Sequence, residues 1–427
     1  MLGIRKFIVL VFFFSWCKVY AQTYTFESIC TKAIDASFSL KSAKQAVVIE
    51  EINYWQTWVG VLPQITFRAN PEHYQKLNSD DSSFFSSLLG DETKYQNTIS
   101  GELRMPITDV GITAVKAEIV KLQLEQRKLE SQKLTQNLKL EILEIYANLL
   151  ISLKKEAALK DILSLQNQIL DMTSRLRKSE MISETEVSLV VIETSKQIQS
   201  YEENRLQMQS LLHRLSLKTN QDYSIQNDVF QALDTIPTMN FQEIRSLDSQ
   251  MAELNWHQKE FEKTQHVMGS FPKVDTYGIL TYFGKDSNSI RKSINNITGK
   301  SWVVGINIVF SINESINRAF DEQRTLAEVE KLKCDQRAYD QQFQQDILEL
   351  EDQIQTTSQN IAIRDKTIKA QVELEQMNTQ LSEQQLLIKT QVLKSKIDSL
   401  NEKLALDFDK IKYGSILNRL KILSQGQ

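Results

Sequence analysis

The chain has 427 residues but only 12 glycines and 5 prolines, whereas average usage is about 7% glycine and about 5% proline. This composition predicts long uninterrupted elements and argues against a loop-rich enzyme with many βα turns. The formal net charge is −4, so bulk charge gives no indication of a nucleic-acid-binding protein. Three cysteines are too few for a disulfide scaffold, and no two of them form a CxxC pair for zinc or redox chemistry.

Residues 1–21 have the pattern of a secretory signal peptide. Arg5 and Lys6 precede an apolar run, and the last three residues resemble a small-x-small cleavage site. The apolar run is shorter than the about 20 residues that span a bilayer, which makes an uncleaved anchor the weaker alternative. Lipidation of Cys17 is a second alternative, disfavoured by the bulky Trp16 before it.

The rest of the chain is predicted to consist of two similar units. Three short markers occur in the same order in both units, each pair roughly 200 residues apart. The markers are Pro63 and Pro272 before a strand, Gly101 and Gly305 within the next strand, and Ser183 and Ser382 at a helix start. We therefore expect a first repeat over 22–217, a connector over 218–239 and a second repeat over 240–427. Each repeat has a helix, two strands and a helical hairpin.

Long helices are the main prediction for both repeats. Glycine is absent from 112–268 and from 306–413, whereas helices in globular proteins average about 11–12 residues. Apolar residues in these stretches step by three and four, as from Ile162 to Leu176, which is typical of coiled coils. The predicted helices are 26–59, 112–176, 184–217, 240–268, 318–377 and 383–413.

Each long helix is predicted to turn back at a tip, near 178–184 and near 378–383. Ser183 with Glu186, and Ser382 with Gln385, have the pattern of a capping box, which satisfies the first N–H groups of a new helix. The candidate tip residues, which would contact a partner or form a gate, are Glu180, Ile182, Ser183, Glu184, Glu186, Thr379, Leu381, Ser382 and Glu383. Their carboxylates could form a cation-favouring ring. The alternative is that they only complement helix dipoles.

Four segments, 64–74, 95–106, 273–283 and 301–310, are predicted strands, and the second and fourth alternate clearly between apolar and polar residues. Such segments are typical of transmembrane strands with one face in lipid and one in water, and a half-buried soluble sheet is the alternative. The candidate lumen residues are Arg68, Glu102, Arg104 and Asn307, and the candidate lipid-facing residues are Leu103, Trp302, Ile306 and Phe310. The lumen candidates could instead be solvated polar residues without a role in selectivity.

The connections between the strands favour the membrane interpretation. Long polar segments, 75–94 and 284–300, join the strands of each pair, while the other strand ends continue into helices. Four strands cannot close a barrel, and an open edge in lipid would leave N–H and C=O groups unsatisfied. Closure would therefore require several chains, and three of them would supply twelve strands.

The order of these elements resembles the outer-membrane efflux (TolC-like) proteins. The resemblance also includes residues 62–65 and 271–274 before the strands, the Trp302–Ile306 run, and Ile182-Ser183 followed by a carboxylate. It implies a mainly α fold with β. Long antiparallel helical hairpins would form an α-barrel, and four strands per chain would contribute to a trimeric twelve-stranded transmembrane β-barrel, with an internal two-fold sequence repeat.

The chain departs from the family pattern in two places. The family usually has Pro, an aromatic residue and a Gly-rich turn after the second strand of each repeat. Residues 106–111 keep part of this pattern, whereas 311–315 have neither Pro nor Gly. Glu180 and Thr379 stand where the family usually has glycine.

The resemblance implies a passive exit duct in the outer membrane of a diderm bacterium, with a large periplasmic part. Such a homotrimer would serve a tripartite efflux pump or a type I secretion system. Its partners would be a periplasmic adaptor (membrane fusion) protein, an inner-membrane transporter and outer-membrane lipid, with no nucleic acid. The alternative is a secreted or periplasmic coiled-coil structural protein with a small soluble β domain. No enzyme, metal or cofactor is predicted, because the sequence has no HExxH, G-x-S-x-G or phosphate-loop motif.

Overall fold

The computed structural model describes residues 22–73, 95–224, 228–233, 245–383 and 389–424. The predicted signal peptide, the connection over 75–94 and part of the connector over 218–239 lie outside these residues. Within them the chain is mainly helical with a few strands, so the predicted fold class is confirmed.

The helices in the described ranges include two very long ones. Numbered in chain order, the helices are α1 (Phe26–Ala36), α2 (Phe38–Val59), α3 (Asp109–Lys178), α4 (Glu184–Thr219), α5 (Leu247–Gly269), α6 (Ile290–Asn295), α7 (Ile312–Glu383) and α8 (Lys389–Ser424). With 70 and 72 residues, α3 and α7 are each roughly 105 Å long at 1.5 Å per residue. Among the helices of the described part of the chain, none combines the length and apolar character needed to cross a bilayer.

The strands form two sheets. They are β1 (Gln22–Tyr24), β2 (Gln64–His73), β3 (Tyr95–Pro106), β4 (Asp228–Phe230), β5 (Lys273–Asp286) and β6 (Ile297–Val309). The short strands β1 and β4 pair in parallel, and the other four form an antiparallel sheet in the order β2-β3-β5-β6. Compared with the predicted bounds, β5 extends to Asp286 and β6 begins earlier, at Ile297. The strand β6 ends at Val309, so Phe310 lies just beyond it.

The helix predicted over 26–59 is wrong at one residue, because two helices meet at Ser37. The Ser37 backbone is extended, and its hydroxyl oxygen accepts the amide of Leu40 at 3.3 Å. A serine side chain competes with the backbone for hydrogen bonds, so it starts a new helix more readily than it continues an old one.

The second predicted capping box is also wrong, because α7 continues to Glu383 and Ser382 lies inside its last turn. The Thr379 hydroxyl donates to the Glu375 carbonyl at 2.8 Å, as expected within a helix. Straight-chain residues with good helix propensity fill this stretch, so no local signal ends the helix at Met377. The returning helix is described from Lys389, and 384–388 lie outside the described residues.

Two compact units divide the chain. The first unit consists of Met1–Leu40, Leu134–Ile244 and Gln344–Gln427, and the second of Lys41–Lys133 and Arg245–Phe343. The antiparallel sheet belongs to the second unit. The hairpin tip between α3 and α4 belongs to the first.

The first unit has an apolar core built from α1, α3 and α4. Its fully buried residues include Ile29, Ala33, Ile142, Ile145, Tyr146, Leu149, Met208 and Leu215. The Tyr146 hydroxyl lies 3.1 Å from the carbonyl oxygen of Tyr24 and 2.6 Å from that of Gln231, and so connects α3 to both short strands. Burial raises the pKa of the Cys30 thiol to about 12, so this thiol stays protonated at neutral pH.

Candidate functional site

The four candidate lumen residues lie on one face of the antiparallel sheet. Glu102 and Arg104 are two residues apart on β3, and Arg68 on β2 pairs with Ser100, which is in phase with them. On the far strand Asn307 pairs with Asp275, and Asp275 pairs with Pro106, again in phase. Because paired residues share a face and successive residues alternate, the register brings all four side chains to the same side.

A mixed-charge cluster occupies this polar face. One Glu102 oxygen lies 3.5 Å from a terminal nitrogen of Arg68, and the other lies 3.8 Å from Nε of Arg104. The Glu102 side chain is only 17% exposed, whereas the two arginines are 60% and 45% exposed. The cluster therefore presents two guanidinium groups and one shielded carboxylate, with a net charge of +1.

The opposite face exposes large apolar side chains. Leu103, Trp302 and Ile306 are 50%, 76% and 66% exposed, and the register places all three on this face. Other exposed members of this apolar face are Ile65, Phe67, Leu280, Val304 and Ile308. Phe310 is 55% exposed, but it follows β6 and no pairing fixes its face. An exposed apolar surface of this size marks a contact with lipid or with another protein.

The tip between α3 and α4 is formed as predicted. The Glu186 amide donates to the Ser183 hydroxyl at 3.2 Å, and the Ser183 amide donates to the Glu186 carboxylate at 3.3 Å, which confirms the capping box. At the end of α3, the amides of Glu180 and Met181 donate to the carbonyls of Arg177 and Leu176 at 2.9 and 3.0 Å. This is the Schellman pattern, which places Glu180 in the left-handed region with φ 59°.

Basic residues accompany the tip carboxylates. Arg177 lies 3.8 Å from Glu184, whose side chain is 86% exposed, and Arg175 pairs with Asp171 at 2.7 Å. Ile182 is half-buried, while Glu180, Glu184 and Glu186 are exposed. The structure places the other tip candidates, Thr379, Leu381, Ser382 and Glu383, in the last turns of α7. Within the described ranges, no group of three or more His, Cys, Asp or Glu side chains could hold a metal ion.

Comparison with known proteins gives a clear result only at the level of structure. No protein-family model matches the chain, and no curated protein matches it in sequence. The outer membrane protein VceC from Vibrio cholerae superimposes with a TM-score of 0.78 at 13% identity, over 93% of this chain and 96% of VceC. A membrane protein from Pseudomonas aeruginosa gives 0.78 at 12% identity over 95% and 92%, and the Campylobacter jejuni CmeC outer membrane channel gives 0.71 at 14% over 94% and 86%.

The chain has the fold of the TolC-like outer-membrane channels. Because the identities are so low, the match reports the fold alone. The roles of the residues that the sequence singled out therefore depend on their own geometry.

One repeat marker is out of phase in the TolC-like sheet. Gly101 lies on the apolar face opposite Phe67, whereas Gly305 lies on the polar face opposite Tyr277. A Cβ at Gly305 would lie 2.8 Å from the Tyr277 ring, so the glycine leaves room for that ring. Gly101 and Gly305 are therefore not equivalent positions, since a shift of one residue moves a side chain to the other face.

Tyr277 on the polar face and Arg364 in the second hairpin were not predicted from the sequence. Tyr277 shares the polar face with Arg104, its partner across the strands, but no motif marks it. Arg364 on α7 donates to Asp409 at 2.6 Å and to Glu402 at 3.1 Å, and so links the two helices of the second hairpin. Such a pairing depends on which helix faces which, and a single sequence does not specify that.

At the tip between α3 and α4, the left-handed backbone of Glu180 predicts a stabilising substitution. A residue with a Cβ in the left-handed region costs about 1 kcal/mol, so Glu180→Gly should stabilise the tip by about 0.5–1 kcal/mol. We expect amide hydrogen exchange over 176–186 of the full chain to slow about two- to fivefold. The control Glu193→Gly, in the interior of α4, should instead cost about 1 kcal/mol. Faster exchange in Glu180→Gly would show that the Glu180 side chain, not its backbone strain, dominates the local stability.

Proposed function

We propose that this protein is the passive exit duct of a tripartite efflux pump or a type I secretion system. Three copies would close a twelve-stranded barrel in the outer membrane, and the long helices would extend into the periplasm as an α-barrel. The observation that carries the proposal is the two-faced sheet, with large exposed apolar residues on one side and the Arg68–Glu102–Arg104 cluster on the other. This is the arrangement expected of a wall between lipid and water.

The edges of the sheet support closure by further copies. In the described residues, β2 and β6 each have one neighbouring strand and one open edge. Unpaired N–H and C=O groups are not tolerated in hydrocarbon, so a membrane-embedded sheet must continue around a closed ring. Three chains with four strands each give a ring of twelve.

The likeness to solved structures adds weight to the proposal. VceC is described as an outer membrane protein, and CmeC and MtrE as outer membrane channels. CusC undergoes conformational changes that accompany folding and transmembrane channel formation. From this likeness we infer an outer-membrane location for this chain, and we propose in addition a homotrimeric state and docking to a periplasmic adaptor that connects to an inner-membrane transporter.

The proposed mechanism is conduction without local energy input. Solute would enter from the transporter, pass along the helical barrel and leave through the β-barrel, past Arg68, Glu102, Arg104 and Asn307. The tip between α3 and α4, with Glu180, Ile182, Ser183, Glu184 and Glu186, would contact the adaptor and narrow the periplasmic entrance. The end of α7, at Thr379, Leu381, Ser382 and Glu383, would take part in the same entrance, and its splaying would open the duct.

The proposal predicts a detergent-dependent trimer. Light scattering of the full chain extracted from the outer-membrane fraction, corrected for bound detergent, should give three times the mass of one chain. The same preparation should form ion-conducting pores in planar bilayers. A protein released without detergent as a monomer or a coiled-coil dimer would overturn the duct and favour the secreted or periplasmic structural protein instead.

A further inference from the structure

The short helix α6 lies between β5 and β6, at the end of the sheet opposite the long helices. It packs against β5, β3 and β2. A Cβ added at Gly284 would overlap the carbonyl oxygen of Ser293, so the α6 backbone rests directly on the β5 backbone. Ser293 is fully buried beneath this contact. The helix is therefore part of the sheet's surface rather than a detached loop.

The register shows which face α6 covers. Gly284 pairs with Asn97, and Asn97 is in phase with Leu103 on β3. The buried Asn97, only 3% exposed, therefore lies under α6 at the end of the apolar face. Since Leu103, Trp302 and Ile306 share this face, α6 stands at the margin of the surface that we assign to lipid.

The outer surface of α6 combines cationic and apolar side chains. Arg291 and Lys292 are exposed, and Ile290 and Ile294 are 39% and 44% exposed. The exposed Lys300 extends the basic patch, because it pairs with Tyr282 on the same face. Among the described residues, none of the three cationic side chains has a carboxylate within ion-pair distance of 4.0 Å.

The one acidic residue between 284 and 300 offsets only part of the positive charge of the patch. Asp286 accepts the amides of Asn288 and Ser289 at 2.7 and 3.0 Å, so one of its oxygens is occupied by the turn that starts α6. Lys285 lies on the polar face, whereas Asp286 is in phase with Gly284, so the side that carries α6 has Arg291, Lys292, Lys300 and this single acid, for a net charge of +2. A cationic surface at the edge of an apolar wall complements an anionic membrane surface.

We propose that α6 and Lys300 form an interfacial anchor that binds the phosphate groups of anionic lipid headgroups in the outer leaflet. The inference rests on the proposed function, because it requires the apolar face to lie in a bilayer. Arg291, Lys292 and Lys300 would hold the phosphates, and Ile290 and Ile294 would lie among the adjoining acyl chains. Each basic residue near an anionic surface contributes about fivefold in affinity, so three would contribute roughly 100-fold.

The test uses a probe next to α6 in the full-length trimer reconstituted in bilayers. A bimane label is attached through Asn288→Cys in a Cys334→Ser background, and its quenching by brominated phosphatidylglycerol and brominated phosphatidylcholine is compared. We expect phosphatidylglycerol to be preferred roughly 100-fold, with the preference lost in the Arg291→Gln, Lys292→Gln, Lys300→Gln triple variant. Inorganic phosphate should not compete, since the proposed ligand is a headgroup held in the bilayer.

Two lysines provide a matched control. Lys300 and Lys285 are both exposed at the same end of the sheet, but Lys285 pairs with Gln96 and lies on the polar face. Lys300→Gln should reduce the lipid preference about fivefold, and Lys285→Gln should leave it unchanged. Equal losses in both variants would overturn the anchor, because they would show only a general effect of net charge.

The possible failures are distinguishable. Equal quenching by both lipids would place α6 at the bilayer without headgroup selectivity, which overturns the anchor and supports the duct. Quenching by neither lipid would remove α6 from the bilayer and overturn the anchor, whereas the proposed function fails only if the reconstituted protein is neither a trimer nor a pore. Competition by inorganic phosphate would show binding of free anions and would also overturn the anchor.

Discussion

The substitution Ile306→Arg is expected to destabilise the membrane-embedded sheet by about 1–3 kcal/mol, because the cost of an arginine on the lipid face is about 2–4 kcal/mol at the bilayer midplane and falls towards the interfaces. Ile306 is 66% exposed, and it lies on the same face as Trp302 and Leu103. Its partner on β5 is Thr276, so the neighbouring strand offers no carboxylate that could pair with an arginine at position 306. The measurement is the urea midpoint of unfolding from vesicles, together with the yield of trimer from the outer-membrane fraction.

The adjacent substitution Asn307→Arg is the matched control. Asn307 lies on the polar face and pairs with Asp275, whose carboxylate can accept hydrogen bonds from an arginine side chain at position 307. We expect Asn307→Arg to change the unfolding free energy by less than about 0.5 kcal/mol. The reverse order of effects would exchange the lipid and lumen faces. Small effects of both substitutions would indicate that neither face is in lipid, as in a soluble β domain.

The substitution Tyr146→Ala is expected to destabilise the first unit by about 3–5 kcal/mol, the usual cost of truncating a buried aromatic side chain. Tyr146 is fully buried, and its ring contacts those of Phe26 and Phe230 at centroid distances of 6.0 and 6.1 Å. Removing it leaves a cavity and also deprives the carbonyl of Gln231, 2.6 Å from the hydroxyl, of its donor, while the carbonyl of Tyr24 keeps the amide of Gln231. The cavity and the lost hydrogen bond lie in the same region, so both should contribute to the measured loss of stability.

Hydrogen exchange of the full chain separates these contributions. Tyr146→Phe keeps the ring and removes only the hydroxyl, so it should cost about 1–3 kcal/mol and accelerate exchange chiefly in β1 and β4. Tyr339→Ala, at a residue 48% exposed on α7, should cost less than about 0.5 kcal/mol. Comparable losses from Tyr146→Ala and Tyr339→Ala would contradict the assignment of Tyr146 to the core.

The parts of the fold that follow from periodicity were predictable. The absence of glycine and the steps of three and four indicated α3 and α7, and the alternation in β3 and β6 assigned Glu102 and Trp302 to opposite faces. The failures occurred where a single side chain or a single boundary decides the outcome. Ser37 interrupts a helix because its hydroxyl caps the next one, and Ser382 has a capping sequence but sits in a stretch that favours continuation of α7.

The candidate site was only partly accessible from the sequence. Alternation along one strand places Arg104 and Glu102 on one side, but the contact of Glu102 with Arg68 depends on the register between β2 and β3. The helix α6 was not predicted, because 284–300 reads as a polar loop. Only the structure shows that the α6 backbone packs against Gly284 of β5, and this contact places the helix on the sheet.

The division of the first unit among three distant stretches of chain has a consequence for biogenesis. The Gln136 side chain donates to the Ile422 carbonyl at 3.1 Å, and Lys421 pairs with Glu27 at 2.9 Å, so the last helix meets both the first and the third. A chain that emerges from its N-terminus cannot complete these contacts until its final residues are present. Until then Glu27 and Gln136 lack these partners, and contacts between such distant residues form slowly. A late truncation would therefore remove contacts of α1 and α3 together with the last helix.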